Sequence, residues 1–110
     1  MIIRHLLTFQ GSLGEKKLLA LFNSGASHSC IIKQSLHGLE NSFQLHHPLI
    51  LATASIATFM EITPSTTLYF YHEEVRLSDA FLVVTGLSEE VIIGADTMRK
   101  WNNKLDFGSN

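Results

Sequence analysis

Apolar residues in this chain fall into short runs that are separated by turns of glycine and small polar residues. The runs at 2–9 and 17–22 are rich in branched and large apolar side chains, and the loop between them, 10–16, contains two glycines. This pattern predicts two strands joined by a hairpin loop. The second run is apolar at every position after Lys17, which predicts a strand buried on both faces.

The rest of the chain continues in the same pattern, with a single convincing helix close to its end. Residues 95–103 are predicted to form that helix, because Met98 and Trp101 are spaced to lie on one side of it. One helical turn, closed by Gly38, is predicted over 33–39. Many short strands and one late helix indicate a mostly-β barrel or sandwich. Further strands are predicted at 29–32, 43–53 (near a sheet edge, because of Pro48), 55–63, 66–72, 73–84, 89–94 and 104–107.

Length and composition indicate one globular domain over residues 1–110, with 45% hydrophobic and 16% charged residues. Eight basic and ten acidic residues leave a net charge of −2 without a basic stripe, so no nucleic-acid partner is expected. The single cysteine, Cys30, excludes an internal disulfide. No apolar run has the length of a membrane-spanning helix, and the N-terminus lacks the pattern of a secretory signal. We expect a soluble domain of undetermined localisation, which could belong to a larger or membrane-anchored protein.

Two short motifs carry the strongest functional signal. The first is LLALFNSGAS (18–27), in which an apolar strand enters a turn of small polar residues. The second is VIIGAD (91–96), in which apolar residues lead through a glycine into the predicted helix. Together they resemble the retroviral-type, or retropepsin-like, aspartic proteases, and the resemblance covers essentially the whole chain. It implies a closed, mostly-β barrel, the single-lobe acid-protease fold, with one short C-terminal helix.

The resemblance assigns roles to particular residues of this chain. Asn23 stands at the position of the catalytic aspartate of the family, and this substitution is the main departure from the family pattern. The segment 51–62 occupies the place of the flap that covers the substrate, although it lacks the glycines that family flaps usually hold near the tip. The implied sites are the active-site turn Ser24, Gly25, Ala26 and Ser27; the substrate-binding flap residues Ala54, Ser55, Ile56, Ala57, Thr58 and Phe59; and Ile92, Ile93 and Gly94, which support the turn from beneath.

The chemistry of the family also implies a partner. Two carboxylates share one proton, and the pair activates a water molecule that attacks the peptide bond. This chain supplies one such turn, so the pair requires a homodimer with two-fold symmetry. Residues 2–6 and 104–107 are expected to interleave at the interface, because they would otherwise leave open sheet edges. The expected substrate is an extended polypeptide, and no metal or organic cofactor is needed.

Asn23 leaves more than one interpretation open. A carboxamide cannot act as a general base, so the chain as written is expected to be almost inactive. It is an aspartic endopeptidase inactivated by an Asp→Asn change, or a natural pseudo-protease that binds peptide or dimerises. It is otherwise an enzyme that regains an acid by slow deamidation of the Asn-Ser pair. A plain structural β-domain is the remaining alternative.

Several other residues have simpler local interpretations. The stretch FNSGAS (22–27) could be an ordinary Asx-turn. Cys30 and His28 could form a thiol–imidazole pair on one strand face, although a buried cysteine in an apolar strand more often packs in a core. The six histidines show no spacing typical of metal ligands. Asp96 is expected to open the helix, and Asp106 to lie exposed in the terminal strand.

Overall fold

The computed structural model describes the backbone of residues 2–53 and 56–105, and the side chains of residues 3–51 and 61–101. Within these ranges most residues lie in strands. The strands are β1 (Ile2–Gln10), β2 (Glu15–Asn23), β3 (Cys30–Ile32), β4 (Phe43–Thr53), β5 (Ile56–His72), β6 (Val75–Val84) and β7 (Val91–Ile93). The helices are α1 (Lys33–Leu36) and α2 (Ala95–Leu105).

The strands form a closed barrel with one additional strand outside it. Their order is β1-β2-β7-β3-β6-β5-β4, and a second pairing between β1 and β5 closes the first six into a ring. The mostly-β closed barrel with a short C-terminal helix is therefore confirmed, and the sandwich is excluded. A radius of gyration of 13.2 Å is close to the roughly 13 Å expected of one compact domain of this length.

Two hydrophobic clusters lie on opposite faces of β2. Leu18 and Ala20 belong to the first cluster, which includes three phenylalanines and Trp101. Leu21 belongs to the second cluster, together with the base of the β4–β5 hairpin. Because successive side chains of a strand point to opposite faces, an apolar β2 serves both clusters. Burial on both faces is thus correct, except that Leu19 remains 40% exposed.

The structure refines one of the predicted elements around the β4–β5 hairpin and confirms another. The predicted strands 55–63 and 66–72 are one continuous strand, β5. Pro48 lies in β4, the last strand of the sheet order, and the register with β5 shifts between Gln44 and Leu49. The edge position predicted from this proline is therefore confirmed.

No helix in the described part of the chain has the length and apolar character needed to cross a membrane.

The predicted terminal strand over 104–107 is wrong where the structure describes it. Lys104 and Leu105 are the last residues of α2, and 106–107 lie outside the described residues. The physical reason is visible in the spacing of Met98, Trp101 and Leu105. These apolar positions follow a helical period rather than the alternation of a strand.

Candidate active site

The two sequence motifs meet side by side in the barrel wall. Strand β2 runs parallel to β7, with Leu21 opposite Ile92 and Phe22 opposite Ile93. The next residue of β2, Asn23, is its last and pairs with Ile2 of β1. Gly94, which directly follows β7, is thereby brought to the end of β2.

The carboxamide of Asn23 is buried and held by its own turn. Only 4% of the residue is exposed. Its side-chain Oδ1 accepts a hydrogen bond from the Gly25 N–H at 2.9 Å, and its carbonyl accepts one from the Ala26 N–H at 3.0 Å. Ala26 is buried, whereas Ser24, Gly25 and Ser27 are exposed. The turn therefore presents its polar outer side to solvent while the amide of Asn23 is fixed beneath it.

An Asx-turn is thus present, but it does not explain the glycine. Positive φ angles occur at Gly38 and Gly86 among the described glycines, and not at Gly25. The conformation of the backbone at position 25 is therefore open to other residues. A glycine there leaves the surface above Asn23 free of a side chain, which suits the approach of another backbone.

Gly94 packs directly against the backbone of the turn and of the residue that follows it. A Cβ atom at this position would lie 2.6 Å from the carbonyl oxygen of His28 and 3.0 Å from that of Ala26. The Ala95 N–H donates to the Ala26 carbonyl at 2.9 Å. Ile92 and Ile93 are fully buried in the two strands' shared wall. The turn and the start of α2 consequently form one tightly packed unit.

A β-hairpin is built from β4 and β5, which include most of the segment 51–62. Strands β4 and β5 pair in antiparallel fashion up to Thr53 and Ile56. At its base, Leu51 and Ile62 are buried in the same cluster as Leu21. Ala54 and Ser55 lie outside the described residues. Ile56, Ala57, Thr58 and Phe59 belong to β5, and their side chains lie outside the described part.

A chain of hydrogen bonds that begins in the buried interior lies behind Gly94. The Gly94 N–H donates to Ser29 Oγ at 2.9 Å, and Ser29 Oγ lies 2.5 Å from Thr97 Oγ1. Thr97 Oγ1 donates to Asp79 Oδ2 at 2.7 Å, and Lys100 Nζ donates to Asp79 Oδ1 at 2.6 Å. Sequence reasoning missed this network, because nothing in a linear pattern shows that residues of β6 and α2 meet.

The cysteine alternative has no support in the geometry. Cys30 is fully buried, and burial raises the pKa of its thiol to about 12. A thiol in that state is a poor nucleophile. His28 Nδ1 instead lies 3.0 Å from Asp96 Oδ2, in the first turn of α2, where Arg99 also pairs with Asp96. Across the described side chains, no group of three histidine, cysteine or acidic residues is arranged to hold a metal ion.

A cavity adjoins the exit of the turn on the side of β4. Its volume is about 290 Å³, and its walls include His28, Phe43, Leu49 and Leu82. Phe43 and Leu49 are 50% and 39% exposed on the hairpin side. The space next to the turn is therefore open to solvent and partly apolar, which suits the side chain of a bound peptide.

Comparison with models of protein families found no match to this chain, and a search of curated proteins found none either.

Proposed function

We propose that this chain is one protomer of a homodimeric, retropepsin-like aspartic endopeptidase that carries Asn23 in place of the catalytic aspartate. Its substrates are extended polypeptides. The observation that carries the proposal is the buried carboxamide at the end of β2, with Oδ1 bound by the Gly25 N–H at 2.9 Å and Gly94 directly behind the turn.

An aspartate in the same pose would be prepared for catalysis. The Gly25 N–H would bind one carboxylate oxygen and leave the other directed toward the partner's identical turn. The two carboxyl groups, one from each protomer, would then lie side by side. They would share a single proton, because like charges in such proximity cannot both be ionised. One then takes a proton from water while the other protonates the peptide carbonyl, and no covalent intermediate forms.

The hairpin and the strand edges fit an extended substrate. A peptide that enters between the hairpin and the Ser24–Gly25 surface would bind through its backbone, in the manner of an added strand. The open cavity beside His28 and Leu82 would accept one of its side chains. A groove of this kind excludes bulk water from the peptide bond when the hairpin covers it.

The test is to restore the acid. The Asn23→Asp variant should cleave unstructured peptides at mildly acidic pH, at least about 100-fold faster than the parent chain. Cleavage should be blocked by transition-state mimics of the pepstatin type. Asn41→Asp is the matched control, since it adds the same charge at an exposed position and should leave the protein inactive. A folded, dimeric Asn23→Asp protein that cleaves no peptide would falsify the proposal.

A second function is favoured by Asn23 itself. The amide is buried and hydrogen-bonded, so the position tolerates a neutral side chain without loss of the turn. A natural pseudo-protease would bind extended peptide with Asn23 in place and would gain no cleavage from Asn23→Asp. A third alternative is that Asn23 slowly deamidates to an acid. Mass spectrometry of aged protein would detect that conversion, which neither the inactivated endopeptidase nor the pseudo-protease requires.

A further inference from the structure

The hydrogen-bond network behind Gly94 has a defined direction. The single hydroxyl proton of Thr97 is donated to the carboxylate of Asp79. Thr97 Oγ1 must then accept in its 2.5 Å contact with Ser29, so the Ser29 hydroxyl is the donor. Ser29 Oγ in turn accepts from the Gly94 N–H. The order is therefore Gly94 N–H to Ser29 to Thr97 to Asp79, with every proton aligned toward the carboxylate.

This alignment makes the network hard to rearrange. Ser29 and Thr97 are 3% and 2% exposed, and the side chain of Asp79 is 7% exposed. Hydrogen bonds that point to a charged acceptor strengthen one another in such surroundings. Lys100 and the Ala80 N–H bind the other oxygen of Asp79 and hold the carboxylate in position.

The network ends at the residue that contacts the turn. Gly94 has no room for a Cβ, because the carbonyl groups of His28 and Ala26 press against it. Displacement of the Gly94 peptide would therefore displace Ala26, which closes the Asn23 turn.

We propose that Asp79 is a positioning residue for the Asn23 turn, acting through Thr97, Ser29 and Gly94. It sets the position of the Gly94 peptide, and through that the position of the Asn23 side chain. The effect of Asp79 on catalysis rests on the proposed function. Its effect on the position of Gly94 can be measured without any enzymatic activity.

The first experiment compares two changes at one position in the full chain. Thr97→Val keeps the shape and removes the hydroxyl, whereas Thr97→Ser keeps the hydroxyl. Thr97→Val should accelerate hydrogen exchange of the Gly94 amide by about tenfold, and Thr97→Ser should not. The amides of Phe9 and Phe70 report global opening, since both residues are fully buried in the first cluster. A merely structural role would accelerate all three amides together.

The second experiment measures catalysis in the Asn23→Asp background. Thr97→Val should lower kcat about tenfold, because the turn is misplaced. Thr97→Ser should restore kcat. Asp79→Asn, which keeps the shape and removes the charge, should reproduce the exchange result and carries the test if Thr97→Val does not fold.

The outcomes separate the two proposals. Equal acceleration at Gly94, Phe9 and Phe70, or equal effects of the two Thr97 variants, would overturn the positioning role. An inactive Asn23→Asp protein whose Gly94 amide still responds locally would overturn the proposed function, while the link from Asp79 to Gly94 would stand.

Discussion

At the scale of single residues, the absence of a side chain at Gly94 allows the close contact with the Asn23 turn. Its backbone lies against two carbonyl groups, and an added Cβ would approach the nearer one to 2.6 Å. The neighbouring atoms are backbone, so they cannot move aside as a flexible side chain would. The φ angle of Gly94 is not positive. The glycine of VIIGAD is therefore required by its contact with the turn and not by its backbone conformation.

We expect Gly94→Ala to lower the free energy of unfolding by about 3 kcal/mol, because the turn and β7 must separate to admit the methyl group. Urea denaturation measures the change. Gly86→Ala is the control: nothing lies within 4 Å of its Cβ, but its φ of 85° strains an alanine by about 1 kcal/mol. If the two variants lose the same free energy of unfolding, the close contact of Gly94 with the His28 carbonyl does not determine the cost of a side chain at position 94.

At the scale of elements, a clamp joins β1 to the loop before β7. Arg4 binds both carboxylate oxygens of Glu89, at 3.2 Å and 2.8 Å. In the same loop, Glu90 accepts a hydrogen bond from the Leu19 N–H at 2.7 Å. These contacts hold the loop against the β1–β2 hairpin. The loop leads directly into β7, so the contacts help to fix the pairing of β7 with β2.

The clamp makes stability depend on pH. The hydrogen bond from Arg4 lowers the pKa of Glu89 in the folded protein. A carboxyl whose folded pKa is depressed stabilises the fold above its unfolded pKa, and the contribution is lost as pH falls through the folded value. The loss should begin below about pH 4.

Urea titrations at neutral pH and at low pH test this expectation. Glu89→Gln should lower stability at neutral pH and flatten the decrease on acidification, by a small amount because the pair is partly exposed. Glu61→Gln serves as the control, because it removes the same charge from an exposed position in β5. If the two variants give the same pH profile, Arg4 does not depress the pKa of Glu89 in solution.

At the scale of the whole molecule, β1 has an edge that the described strands cover only in part. It pairs with β5 through Thr8–Gln10 alone. Leu6 and Leu19 lie opposite each other on β1 and β2 and are 62% and 40% exposed. An open edge beside an exposed apolar pair is a suitable surface for a second copy of the chain.

We expect a homodimer in solution that Leu6→Lys converts to a monomer, because the charge would have to be buried at the interface. Sedimentation at increasing concentration measures the change. Leu13→Lys, at a similarly exposed position in the β1–β2 loop, should leave the dimer intact. A parent chain that stays monomeric at high concentration would contradict the shared carboxyl pair and favour a plain structural β-domain.

The elements followed from local pattern, whereas the site followed only in part. Alternation of Leu68 and Phe70 with the tyrosines located the C-terminal part of β5, and the helical spacing of Met98 and Trp101 located α2. The motif around Asn23 identified the turn. The role of Asp79 was not predictable, because its partner Thr97 is on another element and pairs with it only after the barrel has closed.

The amino-acid sequence by itself determined where this chain turns, which strands are apolar on both faces and which small residues surround Asn23, because those properties arise from neighbours along the backbone. The resemblance already implied a closed barrel with Gly94 behind the Asn23 turn, whereas only the tertiary structure decided the order of the six strands in the ring and the link from Asp79 to Gly94. Strand order and buried polar pairs depend on contacts between distant residues, which form when the whole core excludes water.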